Sequence, residues 1–600
     1  MIKLEKINKK FEKIFIAIII AIFFVYNLNN ISYGLPYFWN PDEISFQNSI
    51  LTSLYFLTGY FELSYNPIYA PIINSLIILF TLFINELILN FQSLGQIKSK
   101  IYFNPELFIY YGRLASLIIS SLSIFFLYLI FKKLKINFFI YSILIITFST
   151  SIVLLNLSTM MGKNSSNLLI YLVQIYFLIK YHVKFSKFNF KSYLIFAFLA
   201  SIAWGVNYWP AFISIYAIAL FHFRKFRFLK LHYVLVFLLV FVIFGPFVNI
   251  YFSTMSPLEH LSYSRLDGTL KFANDGANII DNILKSIFNR LEICINTIYQ
   301  TDKNILLLIS VLPIFFLNKF IKFKKDFFIL LILIIEPVIL FGLSGGLYPQ
   351  LRYFGGIICV ILILTGIVFN EFYKVKLRYL VIFLLTFNFY LIYDNLTKHI
   401  KIDNTLSKNY SFFEFNNNIK INKSKILYLV DLNFQESLKQ NLYYLRLYEN
   451  NLIKKNDRSK KFLANIEKKI QKIKNSKSIF IENENLKKDI TYFNYTFFPI
   501  DDLELFFKFI KKDFDYVVIE ESTPNYLSDS IFQKKIRTYV KANFLLKNTQ
   551  FNEEKIFLRN QQSIIHYYNN TLSRFDLVKN ISNDNLDVIY GINYSLYKLN

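Results

Sequence analysis

Cysteine is almost absent from the chain. Only Cys294 and Cys359 occur in 600 residues, the second inside an apolar run. That excludes a disulfide framework, and no C-x-x-C spacing offers a metal site. Glycine numbers only 16 while Ile, Lys, Asn and Phe dominate, the balance of a composition-biased genome, so lysine abundance carries little weight as a ligand signal. Neither an internal repeat nor a low-complexity linker is present. No small-residue cleavage site follows the first apolar run, so the N-terminal helix is expected to stay attached instead of leaving as a signal peptide.

Apolar runs are what the chain has in plenty. Hydrophobic residues make up 54% and aromatic residues 19% of it, with a mean hydropathy of +0.39 and stretches of spanning length through the first two thirds, which is the composition of a polytopic membrane protein. The 66 Lys and Arg against 40 Asp and Glu give a net charge of +26. In a soluble chain that excess would suggest nucleic acid; here the basic residues sit between apolar runs and act as topology signals.

Apolar length predicts spanning helices near 13–33, 110–131, 137–156, 165–181, 191–206, 208–222, 231–252, 304–318, 326–343, 352–370 and 377–393, eleven in all. The clusters Lys3 to Lys13, Lys132 to Lys135, Lys180 to Lys191, Arg224 to Lys230, Lys319 to Lys325 and Lys374 to Arg378 then share one side, which the positive-inside rule makes cytoplasmic. Counting 71–90 as a crossing would invert every later loop. With Pro67, Pro71, Asn74 and Glu86 in or beside it, this segment and 45–58 are expected to lie along the outer interface, within a long first external loop, 34–109. A second large external loop covers 253–303.

Residues 1–393 thus form a transmembrane domain, and 394–600, rich in Lys, Asn, Asp and Glu, a soluble one. Short β-rich strings at Ile426 to Val430, Tyr516 to Ile519 and Val588 to Tyr590 alternate with helix-like stretches at Leu463 to Ile473 and Ile531 to Ala542, which predicts a small α/β domain. Eleven crossings from a cytoplasmic N-terminus place it outside a plasma membrane, the inner membrane in a bacterium.

Chemistry-bearing residues gather in the external loops. Tyr-Phe-Trp-Asn-Pro-Asp-Glu, residues 37–43, sets the carboxylates of Asp42 and Glu43 just after the first apolar run. An acidic pair at a membrane border is costly and points to a site, although Asp after Pro also caps helices. Arg352 at the external start of its helix serves equally as an anchor, and Arg113 reads as an anchor. A site on this face has no access to nucleotide sugars or ATP. Lipid-linked donors remain.

The Pro-Asp-Glu of the first loop resembles the acidic motif of the GT-C superfamily of membrane glycosyltransferases. The chain is most similar to the branch holding protein O-mannosyltransferases and lipid A aminoarabinose transferases, through Asn66-Pro67-Ile68 and Asn74, Gly112-Arg113-Leu114 opening a helix that ends in Phe131-Lys132-Lys133-Leu134, Glu259-His260 in the long loop, and Leu351-Arg352-Tyr353. The resemblance covers roughly residues 10 to 395 and rests on the order and shared sidedness of short motifs. It implies inverting transfer from a polyprenyl-phosphate sugar to an acceptor at the outer face. Asp42 would be the general base, its pKa raised near the low-dielectric boundary, and Glu43 would orient it or touch the acceptor. Arg352, then Arg265 and Lys163, would steady the leaving phosphate, alone or with a divalent cation such as Mg or Mn. Glu259 and His260 would hold the acceptor.

This chain departs from the aminoarabinose transferases at three charged positions. Asn66 stands where they carry Lys, the Met161 to Asn164 loop lacks their Asp, and Val206-Asn207-Tyr208-Trp209 replaces Thr-Lys-Gly. Aminoarabinose is therefore not the expected sugar. Asn207, Tyr208 and Trp209 would instead stack a neutral one. Competing classes are a lipid-linked glycan polymerase or ligase, a secondary transporter, for which inverted repeats and broken helices are not evident in the sequence, and a scaffold whose external domain binds a partner.

Overall fold

A computed structural model of the chain describes residues 2–28, 31, 69–90, 106–207, 210–226, 229–252, 355–374 and 378–403 of the apolar part, with isolated positions at 304, 305 and 308; beyond it come 425–429, 438–452, 489–493, 502–520, 531–550, 555–556, 589–590, 594–599 and positions 464, 467 and 500. They are mostly helical, with a small sheet near the C-terminal end.

The apolar runs fold into helices α1 (Ile2–Leu28), α2 (Tyr69–Leu82), α3 (Glu106–Lys133), α4 (Phe138–Ser149), α5 (Ile152–Thr159), α6 (Lys163–Val183), α7 (Phe190–Asn207), α8 (Ala211–Phe226), α9 (Leu231–Val242), α10 (Val248–Phe252), α11 (Gly355–Lys374) and α12 (Arg378–Asp403). Three of these are long and apolar enough to cross a bilayer, over Lys10–Leu28, Ile109–Lys133 and Gly355–Lys374, and α4 with α5 makes a fourth if the bent pair counts as one span. The described helices Phe190–Val206, Leu231–Phe247 and Arg378–Tyr393 are apolar but shorter. Three to four candidate spans mark a membrane protein without reaching the eleven expected. Segments 45–58, 326–343 and most of 304–318 lie outside the described residues.

One expected span is bent and not straight. The run 137–156 is two helices meeting at 53°. Thr150 and Ser151 interrupt it: Ser151 Oγ donates to Phe148 O at 2.9 Å and accepts from Leu154 N at 3.2 Å, capping the second helix as it closes the first. The run 231–252 also changes character, passing through a wider π-type turn over Ile243–Phe247 that contains Pro246, whose missing N–H breaks the regular ladder. The last helix runs on to Asp403, so the 393/394 boundary read from hydropathy falls inside a helix.

Packing between helices relies on an apolar core with a few buried polar ties. Leu117, Leu127, Phe131, Leu144, Phe148, Leu172, Phe196, Ile358 and Leu362 belong to one buried cluster. Within it Asn388 Nδ2 donates to Thr147 Oγ1 at 2.8 Å, Ser214 Oγ donates to Gln174 Oε1 at 2.6 Å, and the Tyr193 hydroxyl meets His222 Nδ1 at 2.7 Å. Away from water such bonds fix which helix faces meet. Outward faces are apolar too: Phe11, Ile14, Ile18, Ile22 and Val25 are exposed on α1, and Leu235, Leu238, Leu239 and Val242 on α9. A bilayer accounts for such rows.

The C-terminal sheet is built from β1 (Lys425–Leu429), β2 (Asp489–Phe493), β3 (Tyr516–Glu520), β4 (Leu545–Gln550) and β7 (Tyr594–Lys598), in the order β2-β1-β3-β7-β4, with β5 (Lys555–Ile556) and β6 (Ile589–Tyr590) forming a separate ladder. β1 pairs in parallel with β2 and β3, and β7 runs antiparallel between β3 and β4. Helices α13 (Leu438–Glu449), α14 (Leu503–Ile510) and α15 (Ile531–Asn543) alternate with the strands as parallel connections require. Leu427, Leu429, Phe493, Phe506, Val517, Ile519 and Val540 form their own core. The strings expected at 426–430, 516–519 and 588–590 are β1, β3 and β6, the last in the small ladder and not in the main sheet.

Tyr443 on α13 offers a pH test. Its hydroxyl is buried and has no hydrogen-bond partner among the described residues. Burial pushes its pKa up, the Asp513 carboxylate adds to the rise, and Arg446 opposes it. Below about pH 10 the phenol is protonated in both folded and unfolded chains; above it only the unfolded chain releases the proton, so stability falls as pH rises. Tyr443→Phe is expected to raise stability by about 1 kcal/mol and to flatten the loss above about pH 10, read by thermal unfolding of the full chain. A wild-type pH slope in the variant would rule the phenol out as its source.

Candidate functional site

Helix directions sort the chain ends of the bundle into two groups. Near the start of α1, Glu12 Oε2 lies 3.6 Å from Lys132 Nζ at the end of α3; after the end of α1, Ile31 O accepts from Arg113 Nη1 at 3.0 Å near the start of α3. The two helices are therefore antiparallel neighbours, and the segment between them leaves and returns at one end of the bundle. At the opposite end, with Glu12 and Lys132, Asn137 N donates to Asn370 Oδ1 at 2.9 Å, which brings the start of α4 to the end of α11.

Helix α2 lies across the Arg113 end. Its Tyr69 hydroxyl donates to Phe244 O, its Asn74 Oδ1 accepts from Ser166 Oγ at 3.3 Å, and in the π-type turn that follows, Phe83–Leu89, Asn85 Nδ2 donates to the Tyr111 hydroxyl at 2.7 Å. Those partners sit near the end of α9, the start of α6 and the start of α3. Ala70, Ile78 and Leu82 complete the seam by packing on Ile109, Tyr111, Ala115, Met161 and Val206. A spanning helix would touch its neighbours along their length; this one touches them at their tips. The segment 71–90, expected to lie along the outer interface, thus packs across one end of the bundle.

Glycine permits the closest approach. A Cβ on Gly205 of α7 would overlap the Tyr69 ring, and the hydroxyl bond to Phe244 keeps that ring from swinging away. Gly205→Ala gains helix propensity worth about 1 kcal/mol and loses more to overpacking, about 1 to 3 kcal/mol. A lowered melting temperature is expected, restored in part by Tyr69→Ala in the same chain; a rise on Gly205→Ala alone would show the seam to be loose.

Of the residues named from the sequence, Lys163 and Asn207 fall among the described ones. Lys163 is the first residue of α6 and half-buried, after Gly162, which provides no side-chain cap. Asn207 is the last residue of α7. Asp42, Glu43, Asn66, Tyr208, Trp209, Glu259, His260, Arg265 and Arg352 lie outside the described residues. Described residues close to several of them in sequence do converge. Ile31 precedes the acidic pair, Tyr69 follows Asn66 by three positions, and Gly355, three after Arg352, packs against Leu157 and Leu168. These three, with Lys163 and Asn207, all stand at the end crossed by α2.

That end is lined with neutral polar groups. Asn74, Asn156, Thr159, Ser165 and Ser166 are buried there. Asn74 Nδ2 and Asn156 Nδ2, both donors, have no hydrogen-bond partner among the described residues, and neither do Asn164 Oδ1 and Asn167 Oδ1. Buried amide atoms without partners are rare enough to call for an explanation, and amides that read hydroxyl groups suit a neutral ligand. Asn156 and Asn164 escaped the sequence reading, where an amide in an apolar run or beside a lysine gave no distinct signal. No group of three His, Cys, Asp or Glu forms among the described residues, which do not include Asp42, Glu43, Glu259 or His260.

Arg113 is the most buried large side chain of this end, wholly enclosed. Its bond to Ile31 O makes it the tie that the anchor reading expects, fastening the chain just beyond α1 to α3. The sequence matches no protein-family model and no curated protein, so its residues and their placement alone carry the functional reading.

Proposed function

We propose that the chain is an integral-membrane glycosyltransferase of GT-C type, with eleven crossings, a cytoplasmic N-terminus and an extracytoplasmic α/β domain. It moves a neutral sugar from a polyprenyl-phosphate donor to a lipid, glycan or protein acceptor, with inversion. The observation that carries the proposal is the convergence at one bundle end of Ile31, Tyr69, Lys163, Asn207 and Gly355, beneath a helix lying across it. The proposal gathers Asp42, Asn66, Tyr208 and Arg352, which neighbour these positions in sequence, into a single external site. The basic residues Lys132, Lys133, Lys180, Lys184 and Lys225 belong to the opposite end, as a cytoplasmic face requires.

In this reading the isoprenoid lies between helices and the phosphate faces Arg352, Arg265 and Lys163, with or without a divalent cation. Asp42 takes the acceptor proton while Glu43 orients it. Asn207, Tyr208, Trp209 and Asn66 face the sugar, and Glu259 and His260 the acceptor. A secondary transporter is the second reading, favoured by the 53° break between α4 and α5 beside buried Asn156 and Thr159, since broken helices with polar linings mark transport sites. Incubation with radiolabelled polyprenyl-phosphate monosaccharides separates the two. A labelled lipid or protein product supports transfer; uptake of free sugar into proteoliposomes without any product supports transport and overturns the proposal.

A further inference from the structure

The end of the bundle away from the site carries a lysine cluster that neither transfer nor helix packing uses. Lys133 closes α3, Lys180 lies in the last turn of α6, and Lys184 and Lys187 flank or end the short turn Phe185–Lys187 that follows. Helices α3 and α6 pack side by side, with the Phe126 and Tyr176 ring centres 6.0 Å apart near these ends, and Lys180, Lys184 and Lys187 act on the Lys133 charge. Helix α8 adds two further cations: Lys225 Nζ donates to Phe188 O and, at 3.4 Å, to Ser186 O, while the Arg224 guanidinium sits 4.7 Å from the centre of the Phe185 ring.

Like charges from three helices converge here without neutralisation. Among the described residues no Asp or Glu pairs with Lys133, Lys180, Lys184 or Lys187; Glu12, the nearby acid, is held by Lys132. Sidedness accounts for lysines at this end but not for four of them held together, because each like-charge neighbour destabilises the folded chain. An external anion reverses the sign of that interaction. The surroundings specify the form it takes. Val183, Phe190 and Phe223 are exposed apolar side chains on the same three-helix end, and the cations stack on rings, with Lys180 Nζ 4.8 Å from the Phe177 centre. Cations above an apolar, aromatic rim match a phosphodiester head group whose acyl chains run down the helix faces.

We infer that Lys133, Lys180, Lys184 and Lys187 form a binding site for an acidic phospholipid head group, at the end of the bundle opposite the proposed catalytic face. The inference rests on the chain being a membrane protein and not on the reaction it performs. Native mass spectrometry of the full chain in detergent tests it with phosphatidylglycerol, phosphatidylcholine and inorganic phosphate as probes. Phosphatidylglycerol adducts are expected on the wild type and, at equal lipid, are expected to fall about tenfold or more in K133Q/K180Q/K184Q/K187Q. The corresponding arginine variant should keep them, and K508Q, on the sheet domain, should leave them unchanged. If the quadruple variant does not fold, K184Q/K187Q on the exposed turn replaces it, with a smaller loss. Equal adducts on wild type and glutamine variant, equal retention of phosphatidylcholine, or displacement of the lipid by inorganic phosphate at matched concentration would each overturn the site.

Discussion

Asp42→Asn is expected to lower sugar transfer by about a hundredfold to ten-thousandfold while leaving donor binding in place. The substitution preserves shape and hydrogen bonding but removes the only atoms able to take a proton, and general-base catalysis is worth about that much. Glu43→Gln is expected to cost less, because the proposed reaction uses Glu43 only to orient its neighbour. The assay is release of labelled sugar into lipid and protein fractions from equal amounts of folded enzyme, with binding of the polyprenyl-phosphate donor measured separately. Lost binding would move Asp42 from the chemistry to the donor site. Unchanged transfer would remove it from both, and with it the motif on which the family resemblance chiefly depends.

The second large effect is structural. Arg113→Ala removes a wholly buried side chain together with the donor to Ile31 O. A hydrogen bond from a charged group contributes about 1.5 to 3 kcal/mol, and truncating a large buried side chain leaves a cavity that costs about as much again. A total loss of about 3 to 6 kcal/mol is expected, seen as a large drop in thermal stability in detergent. Arg113→Met fills most of the cavity but donates nothing, and should fall between the two. If both variants melt with the wild type, the arginine is not the tie described here, and the first loop must be fastened elsewhere. Transfer by Arg113→Met, measured well below its melting point, is expected to fall too, since Ile31 leads into the loop that carries Asp42.

Apolar length made most of the bundle legible in the sequence. Helices α3, α6, α7 and α11 lie within a few residues of the expected runs, because a stretch of Leu, Ile and Phe with charges only at its ends has one low-energy form in a bilayer. The break at Thr150 and Ser151 escaped notice, since Ser-Thr-Ser inside an apolar run is tolerated in a straight helix as often as it caps a new one; the hydroxyl geometry decides, and spacing does not contain it. The turn at Pro246 was visible as a proline, but not as a widening of the helix. Strands β2, β4 and β7 were missed for a different reason. Each is five or six residues long and mixes Lys, Asn, Asp or Thr with its apolar positions, so partners distant in sequence, and not local pattern, make them strands. Of the candidate site, sequence order supplied the acids and arginines. The structure adds the partners of the 71–90 helix and a lining of amides with unpaired atoms, both products of packing that no single stretch of chain encodes.

The elbow at Ser151 has a mechanical consequence. Helix α5 is eight residues long, about 12 Å at helical rise, and its far end passes through Met160 to Gly162 straight into Lys163. It is a short lever with a serine at the fulcrum, so a rotation of about 10° there would carry the start of α6 through about 2 Å. Few backbone bonds cross the elbow, and the Ser151 hydroxyl serves both arms, which lets the angle change while each arm keeps its own ladder. The height of Lys163 relative to the helix lying above it is therefore coupled to the angle at the other end of the lever, where one buried side chain caps the turn.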